Sequence, residues 1–259
     1  MKNLTTQYEA EQSFTKKYYY LWQGIGVLGL LLPFLLVFFV LVFGKNAFPA
    51  NNYVASISAI FYSNAGSLFV GTMFVVAFFL LNYSGFCKKE KILAFISGIA
   101  ALGIIFFPCM VKNEIENFSS SFEQSLRVGL FHLPIAVSHG IHMTFATIFF
   151  LNLGLIVFFY FPDSEKILQD DSKKQRQRIG LYKISGIIMI LAFIGNFSMM
   201  LILEKIISPE NYDVFAFENT FWGLIFETIM LIPFCISWIV KGNSLKTYYL
   251  DEKNTLQLD

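Results

Sequence analysis

Long apolar runs alternate with short polar breaks along this chain, and the length of the runs is more informative than any periodicity inside them. Crossing the ~30 Å hydrocarbon core of a bilayer takes about 20 apolar residues in a helix. Six stretches qualify, at 21–43, 66–83, 91–111, 139–161, 181–203 and 220–240. The pattern predicts an all-α integral membrane protein with six transmembrane helices, an amino-terminal arm over 1–20 and a tail over 241–259. Two further segments, "NNYVASISAIFYSN" at 51–64 and "RVGLFHLPIAVS" at 127–138, are too short to cross and too apolar for ordinary loops. They are expected to be amphipathic or re-entrant segments on the outer side. Pro33 and Pro233 fall inside the first and last spans, where they should kink the helices. Small residues four apart, such as Ala94 with Gly98 and Gly140 with Thr144, should let helices approach closely. No internal repeat or inverted symmetry of the kind common in carriers is visible.

Charge then orients the helices. Fifteen Lys and Arg residues fall in the amino-terminal arm, the 84–92 loop, the 162–183 segment and the tail, against four on the other side: Lys45, Lys112, Arg127 and Lys205. By the positive-inside rule both termini are cytoplasmic. The run "DSEKILQDDSKKQRQR" reads as a solvated connector whose charge enforces that topology. The mixed-charge start "MKNLTTQYEAEQSFTKKYYY" does not resemble a cleavable signal, so the first apolar run should persist as a helix.

Composition adds exclusions. With 56% hydrophobic residues, 14% charged residues and a net charge of +1, nothing points to nucleic acid or a polyanionic substrate. Cys87, Cys109 and Cys235 have no C-x-x-C spacing, so neither a disulfide framework nor a thiolate zinc site is implied. The 31 phenylalanines read as compositional bias.

Candidate chemistry lies with the few polar residues inside apolar runs, because ionisable groups are costly there. Glu227 is the one acid well inside a predicted span, roughly 12 Å from its outer end at 1.5 Å per residue. Thr147 and Asn196 reach comparable depths on other spans and His142 lies nearer the outer end, at roughly 6 Å, so His142, Thr147, Asn196 and Glu227 are expected to form one polar layer in the outer half. His139 and His142 are three residues apart and share a helix face. With Glu227 as third ligand they are the only candidate zinc site, since a catalytic zinc needs three protein ligands and an open position. The alternative for His142 and Glu227 is a hydrogen bond locking two helices. Nucleophile elbows, H-E-x-x-H and phosphate-binding loops are absent from the sequence.

Several stretches carry a resemblance: "SISAIFYSNAGSLFVGTMF" at 56–74, "LLNYSGF" at 80–86, "IAALGIIFFP" at 99–108, "HMTFATIFFLNL" at 142–153, "RQRIGLYKISGI" at 176–187 and "FWGLIFETIMLIPFCISWIVKG" at 221–242. Together they resemble a family of uncharacterised bacterial multi-pass membrane proteins catalogued as a domain of unknown function. The resemblance implies that Ser56, Ser58, Tyr62, His142 and Glu227 belong to one site, and a bacterial cytoplasmic membrane as location. It implies no activity. A remoter likeness, to membrane hydrolases of the alkaline ceramidase and adiponectin receptor type, reduces to Ser58, His142 and Glu227. This chain departs from that pattern because its three histidines all lie between 132 and 142.

The expected function is binding of a membrane lipid or small amphiphile at the outer-half polar site, with Ser58, Tyr62, His142, Asn196 and Glu227 as ligand contacts. Alternatives are a zinc-dependent hydrolase of lipid amides or esters using His139, His142 and Glu227, a proton-coupled carrier, and a structural or partner-binding protein. Cofactor and protein partners stay open.

Overall fold

The computed structural model describes residues 2–43, 54–85, 87–109, 127–167, 173–203 and 220–255. They form α1 (Lys2–Phe43), α2 (Gly66–Leu81), α3 (Lys88–Phe106), α4 (Ile135–Leu155), α5 (Phe161–Ile167), α6 (Lys173–Leu201) and α7 (Trp222–Thr255). A π-helical stretch, Ile156–Tyr160, joins α4 to α5 without a break. α1 and α7 both continue through their internal prolines, Pro33 and Pro233.

Among the described residues four helices are long and apolar enough to cross a membrane, over Tyr19–Phe43, Ile135–Ile167, Lys173–Leu201 and Trp222–Leu245, which makes this a multi-pass integral membrane protein. The two other helices are short. α2 has 16 residues, about 24 Å of helix, and α3 spends its first turn on the charged Lys88–Lys91. At one end of the molecule non-helical chain adjoins them. A short 3-10 helix, Ser58–Tyr62, precedes α2. An antiparallel hairpin of β1 (Arg127–Val128) and β2 (Leu133–Pro134) follows the end of α3. The second outer segment is thus strand and turn up to Pro134, because Gly129 adopts a left-handed φ of 72° and a Cβ there would lie 2.5 Å from the Phe106 carbonyl oxygen.

The helices pack in chain order, and α7 returns to α1 to close a ring. The seam between α1 and α2 carries the least contact of any pair of ring neighbours. Elsewhere small residues allow close approach: Gly98 faces Leu81 and the Ala77 carbonyl, Gly186 faces Phe158, and Gly26 faces Trp238 and Ile239. Buried apolar side chains from every helix, among them Leu36, Ile60, Ala101, Leu153, Tyr182 and Trp238, fill the interior. α1 enters and α7 leaves at the same end of the ring, here the terminal end.

Candidate functional site

Irregular backbone at membrane depth is stable only when its N–H and C=O groups find partners inside the protein. At the end opposite the termini this requirement accounts for most of the polar residues singled out in the sequence. Glu227, half-buried on α7, accepts the Ile57 N–H at 2.5 Å, and the backbone N–H and hydroxyl of Ser58 also donate to it. It therefore caps the start of the 3-10 helix. The Leu224 N–H donates to the Ala55 carbonyl at 2.8 Å, fixing α7 to the same segment.

The carbonyls ending α3 are treated in the same way. His142 Nδ1 lies 2.8 Å from the Phe107 oxygen and 3.1 Å from the Ile104 oxygen. Both partners are acceptors, so Nδ1 carries the hydrogen. The Ser138 hydroxyl donates to the Pro108 carbonyl and the Tyr62 hydroxyl to the Cys109 carbonyl, each at 2.8 Å. The Leu130 N–H takes the Phe106 carbonyl.

The predicted polar layer therefore divides. Ser58 and Glu227 meet, and Tyr62 and His142 serve the same stretch of chain, 104–109. His142 is turned toward those carbonyls, so the expected His142–Glu227 hydrogen bond gives way to two separate caps. Asn196 stands apart on α6, its Oδ1 buried without a hydrogen-bond partner. His139 is half-buried one turn before His142. Among the described residues no group of three or more His, Cys, Asp or Glu side chains is placed to hold a metal, so His139, His142 and Glu227 do not come together as a zinc site.

A second polar cluster, absent from the sequence reading, lies at the terminal end. Glu165 on α5 is fully buried. Its Oε1 accepts from the Tyr182 hydroxyl at 3.1 Å and from Lys241 Nζ at 3.4 Å. Its Oε2 accepts from the Ser244 hydroxyl at 2.9 Å and from Arg178 Nε at 3.0 Å. Gln175 donates to the Glu165 main-chain oxygen at 2.6 Å. Lys241 and Glu90 are also fully buried. Glu90 accepts the Tyr83 hydroxyl at 2.5 Å and lies within electrostatic reach of Lys241. A Cβ at position 85 would fall 2.6 Å from the Glu90 carboxyl carbon, so a larger residue there would have to displace the Glu90 side chain. Two carboxylates and two cations thus share one enclosed site, contributed by α3, α5, α6 and α7.

Local chain geometry delivers Glu165 inward. The π turn at Ile156–Tyr160 shifts the helical register before α5. Pro162 brings no N–H to the ladder, and the Ser164 hydroxyl donates to the Tyr160 and Phe161 carbonyls beside it. Lys241, expected in the tail, is instead part of the buried helix, because α7 runs on to Thr255.

Between the two polar ends lies an apolar cleft of about 480 Å³, mouth included, at the α1–α2 seam. Ile25, Gly29, Met73, Val76, Phe149 and Cys235 are among its lining residues. Trp238 and Phe79 close it toward the terminal end, where Trp22 packs on Trp238 at 4.9 Å, on Tyr83 at 5.0 Å and edge-on to Phe79 at 5.9 Å. The interior is therefore layered, from apolar cleft through an aromatic layer to a charged floor.

No family model matches the chain, and no curated protein or solved structure matches it, so fold and site geometry carry the functional reading.

Proposed function

We propose that the protein is a six-helix membrane protein that holds the aliphatic chain of a lipid or small amphiphile in the cleft at the α1–α2 seam. The observation that carries this is the cleft itself. It is lined by apolar side chains from α1, α2, α4 and α7, and it sits where the ring packs least. The reading moves the ligand from the expected outer-half polar site into the bundle, since His142 and Glu227 are occupied with backbone groups. Six crossings are supported by the place of α2 and α3 in the ring, with the 3-10 helix and the hairpin completing their short spans. The exposed Lys17, Lys88, Lys89, Lys91, Lys173, Lys174, Arg176 and Lys183 at the terminal end favour a cytoplasmic orientation for both termini. A bacterial cytoplasmic membrane is the location that the sequence resemblance implies.

Native mass spectrometry of detergent-purified protein tests the proposal. The wild type should retain lipid, and Val76→Phe, which enlarges a lining side chain, should lose it while keeping its melting temperature within a few degrees. Lipid-free wild type, or equal retention by the variant, would overturn the cleft as the binding site.

A further inference from the structure

The charged floor has no part in holding an apolar chain, yet it is tied to the cleft by one helical turn on α5 and on α7 and by the chain that follows α2. On α2 and the turn after it, Phe79 lines the cleft and Tyr83, four residues on, donates to Glu90. On α7, Trp238 lines the cleft and Lys241, three residues on, contacts Glu165. On α5, Phe161 packs 6.0 Å from Trp238 and also lies under the Lys241 ammonium at 6.0 Å, with Glu165 one turn beyond it. Residues three or four apart share a helix face and move together. A ligand that displaces the aromatic layer must therefore displace the groups of the floor.

The floor also divides by sign across the ring. Both carboxylates, Glu90 and Glu165, come from α3 and α5, and both cations, Arg178 and Lys241, come from α6 and α7. Such an arrangement is weak as a stabilising device, because apolar residues of similar volume commonly serve as well or better. It is well suited to a contact that closes firmly and reopens, since each group finds an opposite charge only in the closed state.

We propose that this cluster is a gate between the cleft and the terminal face, and that the protein is a carrier releasing its amphiphile toward that face when the gate parts. The proposal rests on the cleft as the ligand site. Two readouts separate its failure from the failure of that reading. First, Cys235 lines the cleft and is buried. With Cys87→Ser and Cys109→Ser as background it is the only thiol of the chain. A charged, membrane-impermeant thiol reagent should modify it slowly in the wild type, at least about tenfold faster in Lys241→Met, which leaves buried carboxylate charge uncompensated, and slowly in Lys241→Arg. Second, Trp238 lines the cleft and Trp22 packs on it, so a phospholipid with brominated acyl chains should quench their fluorescence in a Trp222→Phe background. On dilution into unlabelled vesicles the signal should recover at least about tenfold faster in Lys241→Met than in the wild type. Tyr83→Phe, which removes one hydroxyl and keeps the ring, supplies the second variant if Lys241→Met does not fold, with a smaller acceleration expected. Quenching with unchanged recovery and unchanged Cys235 modification would overturn the gate and leave the cleft standing. If the wild type shows no quenching, the binding reading fails, and Cys235 modification alone decides whether the cluster closes a passage.

Discussion

His142 and Glu227 show how differently one residue can be read before and after its partners are known. Each is a polar group in an apolar run, and each answers a local need: Glu227 takes donors at the start of a 3-10 helix, and His142 gives its Nδ1 hydrogen to carbonyls ending α3. A buried backbone group left unpaired costs about 1–3 kcal/mol. Glu227→Ala and His142→Phe should each destabilise the protein by that amount, read as a lower melting temperature in detergent. Glu227→Gln, which keeps an acceptor oxygen, should cost less. Added chelator should leave the wild-type melting temperature unchanged, because both side chains are engaged with backbone groups. A chelator-induced fall equal to that of His142→Phe would reinstate the zinc reading. The sequence suggested that these residues matter in the outer half, and the structure shows the backbone they serve.

Single elements explain why the terminal-end cluster escaped notice. Glu90 opens α3 within "KKEK", Glu165 follows the apolar end of α4, and Lys241 ends the apolar part of α7. Charges in such places normally mark the membrane boundary. The π turn before α5 and the continuation of α7 place Glu165 and Lys241 in contact in the interior. Removing one member of a buried pair typically costs 3–5 kcal/mol, whereas replacing both can be neutral. Thermal or denaturant unfolding of Glu165→Met, Lys241→Met and the double variant, taken as a double-mutant cycle, should therefore show two large losses that do not add, the double variant being no worse than either single one. Additive losses would show that the two side chains act independently.

At the scale of the molecule, the ring of helices has its termini at one end and its irregular chain at the other, with the seam and cleft between α1 and α2. Six crossings require cysteines introduced at Ser13 and Gln177, both exposed at the terminal end, to react with an impermeant reagent from one side of a vesicle. One at Leu130, exposed in the hairpin turn, should react from the other. Reaction of all three from the same side would exclude the arrangement.

Apolar run length determined the membrane class and the approximate positions of the helices, because hydrocarbon demands a minimum length of apolar helix wherever it is crossed; of the six runs, four form helices long and apolar enough to cross among the described residues. The residue types also pointed to polar work in the outer half. Tertiary structure alone decided which polar groups meet. Partners such as Glu165 and Lys241 lie 76 positions apart, and Glu227 and Ile57 lie 170 apart. Their approach depends on helix register, a π turn and ring closure rather than on any local pattern. The cleft belongs to the same class of property: it is the space left where two helices pack least closely, and no stretch of sequence encodes it by itself.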